Sequence, residues 1–360
     1  MSNGGNWDPT SLPVRPGLYI NFENAALANI AGGARGIVGL PIFAYTGGTA
    51  EAGNFYTIED ATDANDLVGT ANATPIKRIL EGGAKEVLVY AVPALSEYES
   101  AAEQFDTILD AFEANEFNVF VYPTVVDALV QTSTKAWTER NRSEGKHFMY
   151  VAGGTAEDDA DPTKGNARSA LLKDEYIVNL ITGAVLPDGT EVQSADYAPY
   201  IAGLIAGTQI NKSITYTELP LADVTKRLKN SEIKTALTSG SLVLIKDGNK
   251  VRIEQGITTD SDTTERGKIR KTRARQAIST DIPTTARDRY IGKVDNNPAG
   301  QAALISAIKL YLETMEVNNV LMDPVVALDP KRPSVGDSVF LAIAYTEVDS
   351  MERIFLTITV

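Results

Sequence analysis

Residues 338–360 read SVFLAIAYTEVDSMERIFLTITV, and how this stretch pairs decides how the whole chain is built. Ile354, Leu356, Ile358 and Val360 alternate with Arg353, Phe355, Thr357 and Thr359, the two-residue period of a strand with two distinct faces. A strand at the end of a chain exposes unpaired N–H and C=O groups and frays unless something pairs with it. Two partners are open to it. The run could fold back as a hairpin onto residues 338–346 through TEVDSM, or it could pair with another chain. The other end of the sequence raises the same question. Residues 1–16 are rich in Gly, Asn, Pro and Ser and read as an extended arm, after which GLYINFENA alternates Leu18, Ile20 and Phe22 with no local hairpin partner.

Between these ends the pattern is strand, then helix, repeated. GIVGLPIFAY (36–45, broken by Pro41), KEVLVYAV (85–92), NVFVYPT (118–124), HFMYVAGG (147–154) and EYIVNLITG (175–183) read as buried strands. Short helices are expected at DANDLVG and at ATPIKRILEGGA, the second stopped by Gly82 and Gly83. Phe105, Ile108, Leu109 and Phe112 recur at helical spacing, a further helix covers about 126–143, and a polar loop separates 154 from 175. SADYAPYIAGLIAGT is a helix whose Gly203 and Gly207 permit close packing. Near-continuous apolar strands alternating with helices indicate a mostly parallel sheet covered on both faces. SLVLIKDGNKVRIEQGITT then reads as a hairpin turning at Asp247, Gly248 and Asn249. After the polar DSDTTERGK the character changes, placing a domain boundary near 263. The remainder holds a basic helix, a second helix with Ile305, Ile308, Leu312 and Met315 on one face, and a closing hairpin. The expected organisation is an N-terminal arm with a donated strand (1–30), an α/β body (31–263) and a smaller α+β domain (264–360) ending in a connecting strand.

Composition excludes several classes. Hydrophobic residues at 43% and charged residues at 22% describe an ordinary globular protein. No apolar run approaches the ~20 residues of a membrane span, and the first residues lack the basic and apolar regions of a secretory signal. With zero cysteines there is no disulfide, thiolate metal site or thiol nucleophile. A net charge of −14 argues against a dedicated nucleic-acid binder. The charge is uneven: from Glu265 to Lys293 there are nine Lys/Arg against three Asp/Glu, a local +6 that leaves −20 for the rest. Within it Lys268, Lys271 and Arg275 share one helix face by i, i+3, i+7 spacing, with Arg266, Arg270 and Arg273 beside them. Either this face is simply solvated, or it serves an interface.

Signals for chemistry are weak. His147 is the single histidine, and a triad would need it beside Ser194 or Ser169 with Asp196 as orienter. No G-x-S-x-G elbow is present. GGARGIVG (32–39) lacks the Lys-Ser/Thr of a phosphate loop and precedes a strand rather than a helix. The acidic cluster EDDAD (157–161) could attract a hard cation but has no EF-hand spacing, and DSDTTE (260–265) is weaker still. No cofactor, metal or catalytic site is expected.

The C-terminal third is more specific. TARDRYIGKVDNNPAGQAALISAIKLYLETM (285–315), with its YIGK, Asn and Gly positions, followed by the VDSMERIFLTITV ending, resembles the tail sheath proteins of contractile-tailed phages and related contractile injection particles. RPGLYINF, RGIVGLPIF and SADYAPYIAGLIAG fit the same family in order, so the resemblance covers nearly the whole chain. One departure is plain. Many relatives insert a β-sandwich after the strand equivalent to VLVYAV, whereas here SEYESAAEQFDTILDAF follows almost at once, as in a minimal sheath subunit.

The resemblance implies an α/β body of subtilisin-like shape without the triad, and a homo-oligomer of stacked six-fold rings around a tail tube. It implies baseplate and tail terminator proteins as further partners, and neither nucleic acid nor membrane. The expected location is the virion tail, assembled in the bacterial host cytoplasm. Strands donated between subunits are expected at Leu18, Tyr19, Ile20, Asn21 and Phe22 and at Arg353, Ile354, Phe355, Leu356, Thr357, Ile358, Thr359 and Val360. Lys268, Arg270, Lys271, Arg273 and Arg275 are expected to contact the tube or a neighbouring subunit. The alternative from another class is an α/β enzyme or carbohydrate-binding module that oligomerises by strand swapping.

Overall fold

The computed structural model describes residues 35–260 and 267–359, together with the backbone of Gly4–Gly5 and Leu18–Tyr19. Its centre is a seven-stranded sheet in the spatial order Ser241–Leu242, Ile177–Leu180, Met149–Ala152, Val119–Val121, Ile37–Ile42, Glu86–Ala91, Phe55–Ile58. All neighbours are parallel except Phe55–Ile58, which pairs antiparallel with Glu86–Ala91 at the edge. That edge strand is not visible as an apolar run because it is short and only Ile58 is fully buried. Ile37–Ile42 is buried at every position, as expected of a strand covered on both faces. It also runs through Pro41: the Ile42 carbonyl still accepts from the Val92 N–H at 3.0 Å, so the ladder continues past the missing donor.

Side chains alternate between two cores. On one face Val38, Leu40, Val87, Val89, Val119, Val121 and Val178 pack against the helices Ala61–Val68, Thr74–Gly82 and Ser194–Gly207. On the other, Tyr90, Phe120, Tyr150 and Ile177 meet Ile108, Leu109, Phe112 and Trp137 of the helices Ala101–Glu113 and Ala128–Ser143. The helices Thr74–Gly82 and Ser194–Gly207 cross so closely that a Cβ on Gly203 would lie 2.0 Å from the Ile79 carbonyl oxygen, and one on Gly207 1.9 Å from that of Gly83. Here the close packing read from these two glycines is realised.

The polar stretch between 154 and 175 is not one loop. It contains the helix Pro162–Leu171, started by Asp161, whose carboxylate accepts from the Thr163 N–H at 3.0 Å. Its inward side is polar: Arg168 donates to Asn179 at 2.7 Å, and Ser169 shares a 2.7 Å hydrogen bond with Ser241. A helix packed through hydrogen bonds has no apolar stripe to read. The later hairpin pairs Leu244–Asp247 with Lys250–Ile253 around Gly248 and Asn249, with Gly248 at φ 57°.

The C-terminal part consists of the helix Ile269–Arg289, the helix Pro298–Val317 and a two-stranded antiparallel hairpin, Leu321–Leu328 with Leu341–Glu347. Ala274, Ala277, Ile278, Ile308, Leu312, Met315, Leu321 and Val326 form their shared core. The position near 263 read as a boundary lies outside the described residues. Among the described residues, no helix is long and apolar enough to cross a membrane.

The basic helix and the C-terminal segment

The first half of Ile269–Arg289 lies across the N-terminal ends of the parallel strands. Gln276 donates to the carbonyls of Asn118 (2.9 Å) and His147 (3.0 Å), and Thr272 to that of Glu175 (3.0 Å). Each of these carbonyls sits just ahead of a named sheet strand, so the helix adds donors at the edge where the ladder starts.

This docking turns the cationic residues inward. Lys268, Arg270, Lys271 and Arg273 are 5–9% exposed, and Arg275 is half-buried. Arg273 donates to the carbonyl of Thr208 and to that of Gln209 at 3.4 Å, just past the C-terminus of Ser194–Gly207, where a cation suits the helix dipole. Burial, and then Arg35, push its guanidinium down to about 10. Arg270 donates to Ser350 Oγ at 3.0 Å and to the Asn319 carbonyl at 2.9 Å.

The other three form a ladder with a segment of their own chain. Lys268 pairs with Glu352, and both side chains are under a tenth exposed. Lys271 lies 3.8 Å from Asp349. Arg275 forks onto Glu347, Nε to Oε1 at 2.5 Å and Nη2 to Oε2 at 2.8 Å, and also donates to Glu175 at 2.8 Å. The i, i+3, i+7 face read from sequence therefore exists, but its anions come from residues 347–352 of the same subunit. Within the subunit these side chains are paired with their own chain, where the sequence pattern predicts a contact with a tube or a neighbour. The signal that could have found their partners is local. Three cations at the N-terminal end of a helix oppose its dipole and call for nearby acids, and Glu347, Asp349 and Glu352 stand in one short run.

Glu352 is bonded on every side. Besides Lys268, it accepts from Gln255 Nε2 at 2.9 Å, Thr215 Oγ1 at 2.7 Å and Ser213 Oγ at 3.3 Å. Burial raises its carboxyl, but the hydrogen bonds from Lys268, Gln255 and Thr215 outweigh that and hold it below its ordinary value. Immediately beyond it the contacts stop. Residues 351–359 form no strand, and Ile354, Phe355, Leu356 and Ile358 are 68%, 90%, 81% and 80% exposed. Leu341–Glu347 pairs with Leu321–Leu328, and residues 353–359 make no strand pairing with 338–346. Of the N-terminal run, Leu18–Tyr19 pairs in parallel with Gly4–Gly5, while Ile20, Asn21 and Phe22 lie outside the described residues, as does Val360.

The hairpin beside this segment is thin. Met322, Val325, Leu328 and Ile343 stay 38–58% exposed, and among the described residues each strand has one neighbour. A two-stranded ribbon is marginal by itself and presents two open edges. The edge of Leu321–Leu328 is interrupted by Pro324, which has no N–H, and by a bulge between Met322 and Val325 with Asp323 at φ 53°. The edge of Leu341–Glu347 carries no proline.

The residues weighed for catalysis do not converge. His147 Nδ1 lies 3.2 Å from the Tyr176 hydroxyl, and burial followed by Arg142 pushes its imidazole below its ordinary value. Ser194 donates to Asp159, not Asp196, at 2.6 Å, and Ser169 bonds Ser241. The EDDAD carboxylates are spent separately: Glu157 on Lys164, Asp158 on Arg168, Asp159 on Ser194, Asp161 on its helix cap. The crevice beyond the C-terminal ends of Ile37–Ile42 and Val119–Val121, where doubly wound folds bind ligands, mixes apolar residues such as Ile42, Phe43 and Pro199 with Asn72, Thr124 and Asp196. Its one cation, Arg78, donates to the Asp196 carbonyl at 2.6 Å.

Comparison with known proteins gives a consistent family. Residues 99–259 match the phage tail sheath protein central domain and residues 261–360 the phage tail sheath C-terminal domain. The tail sheath protein of Clostridium phage phiCD119 is 25% identical over 279 residues, covering 69% of this chain and 73% of that protein. The crystal structure of a sheath tail protein from Desulfitobacterium hafniense superposes with a TM-score of 0.70 at 20% identity, over 92% of this chain and 100% of that one. The helical sheath of the anti-feeding prophage in its contracted state gives a TM-score of 0.73 at 14% identity, over 97% and 99%.

Proposed function

The chain belongs to the phage tail sheath protein family, as a structural subunit of a contractile sheath, and from that premise we propose that it polymerises by giving and receiving strands at its C-terminal domain. The observation that carries this reading is the exposed apolar segment 353–359 standing next to an open-edged hairpin. Edge pairing is main-chain chemistry: each added residue can satisfy N–H and C=O groups that a free hairpin leaves to water, while the alternating apolar side chains set the register. The occupant of the edge is a second copy of this chain. A C-terminal strand from one neighbour and residues 18–22 from another would widen the ribbon to four strands. A segment that leaves one subunit to pair on the next makes a heterologous contact, which propagates as an open helix.

Within this reading the arm, body and terminal domain divide at 1–30, 31–263 and 264–360, and the body's subtilisin-like label describes its shape alone. The subunits stack as six-fold rings around a tail tube, between baseplate and terminator proteins, in a virion tail assembled in the bacterial host cytoplasm. Contraction is relaxation of a metastable polymer whose bodies turn while the strands stay joined, and it uses no nucleotide and no catalytic turnover. Deleting residues 1–23, or separately 353–360, tests the reading. Each deletion should leave a folded, monodisperse protein that forms no tubes in negative-stain micrographs. Normal tubes from either truncation would remove that segment from the assembly mechanism.

A further inference from the structure

Strand donation specifies what a subunit gives, but not how the donated strand is aimed. The ladder between the basic helix and residues 347–352 bears on that. Arg275 to Lys271 is four residues, about 6 Å along a helix, and Glu347 to Asp349 is two residues, about 6.6 Å of extended chain. The two spans match. Between the second and third rungs Arg270 donates to Ser350 Oγ at 3.0 Å. The ladder thus runs from the hairpin strand to the start of the exposed segment. Its last rung, Glu352, is gripped by Ser213, Thr215 and Gln255, which belong to the loops around the Leu244–Asp247/Lys250–Ile253 hairpin. Glu175, which shares Arg275 with Glu347, leads into the sheet strand Ile177–Leu180. The root of the segment is thus bonded to the α/β body as well as to the helix.

We propose that Glu352, with Asp349 and Glu347, is the positioning element of the donated strand: the ladder sets the point and direction at which residues 353–360 leave the subunit and ties that exit to the body. This rests on the strand-donation reading above. The physical gain is preorganisation. A segment released from a free coil reaches a neighbour's edge in the right direction only part of the time, and its apparent affinity falls by that fraction. A tethered root also passes a turn of the body directly to the neighbour that holds the strand, with no slack chain between.

The test uses the full chain in three forms: Glu352→Gln, Asp349→Asn and the deletion of 353–360. Glu352→Gln keeps the size and shape of the side chain, removes the charge facing Lys268 and turns one of its two accepting oxygens into a donor. Asp349→Asn serves if the first fails to fold, because Asp349 is about a third exposed. Two quantities are read: amide exchange of 347–352 in the unassembled subunit, and the critical concentration for tube formation. The expected result for both substitutions is faster exchange confined to 347–352, with unchanged protection in the sheet strands. If the exit direction is then populated about a tenth of the time, the critical concentration rises about tenfold. A merely structural role would alter global protection and leave assembly of the folded fraction unchanged, and that outcome overturns the proposal. So does wild-type assembly by both substitutions while the deletion forms no tubes; in that case strand donation stands and the aiming role falls. Tubes formed by the deletion at wild-type concentration would instead remove strand donation itself.

Discussion

The two faces of the C-terminal segment should contribute unequally to assembly, and Leu356→Ala against Thr357→Ala measures the difference. Ile354, Leu356 and Ile358 point to one side of an extended strand, and Arg353, Phe355, Thr357 and Thr359 to the other. Leu356 is 81% exposed in the subunit and belongs to none of its cores, so its truncation leaves the free subunit's melting temperature unchanged. Leu→Ala removes about three carbon groups worth about 0.8 kcal/mol each when buried. Scaled by the exposure that remains to be covered, the loss is about 2 kcal/mol per strand contact. At about 1.4 kcal/mol per decade, the critical concentration should rise roughly 20-fold. Thr357→Ala removes one hydroxyl from the other face and should stay within about 0.5 kcal/mol, roughly a twofold change. Sedimentation of polymer across a concentration series reads both. Equal shifts for the two variants would show that the alternation does not set the register. No shift for Leu356→Ala would show that this side chain is not buried on assembly, and the strand-pairing argument would lose its energetic basis.

Two further outcomes follow from the body. Gly203→Ala places a methyl where only 2.0 Å separates it from the Ile79 carbonyl oxygen, so the crossing helices must part; urea denaturation should show a loss of about 1–3 kcal/mol or more. Asp159 is held up at about 6 by burial, against the pull of its hydrogen bonds from Ser194, compared with an ordinary 3.8. Because the folded state then binds this proton more tightly than the unfolded one, stability falls as pH rises from about 4 to about 6 and levels off above. Asp159→Asn, neutral throughout, should abolish a fall on the order of 2–3 kcal/mol in unfolding free energy across that window, read by urea denaturation at each pH, and an unchanged profile would refute the assignment.

Local physics is what made the body legible in the sequence. Ile37–Ile42, Glu86–Ala91, Val119–Val121, Met149–Ala152 and Ile177–Leu180 are mostly apolar, Glu86 and Asn179 apart, because each is covered on both faces, and that burial is written in the residues themselves. Helices with an apolar stripe, such as Ala101–Glu113, were equally readable, as were the tight crossing at Gly203 and Gly207 and the alternation of the C-terminal segment. Elements held by other means were not. Pro162–Leu171 packs through Arg168, Ser169 and Asn179, and Leu321–Leu328 contains Pro324, which argues against a strand until a bulge is seen to absorb it.

The decisive case is the basic helix. Its sequence determined that Lys268, Lys271 and Arg275 share a face, because helical spacing is a property of the chain alone. Whether that face looks outward depended on docking across the sheet and on 347–352 lying alongside it, contacts 72 to 84 residues apart. Only the tertiary structure could decide it, since a charge pattern specifies a need for counter-charge and leaves open which part of which chain supplies it.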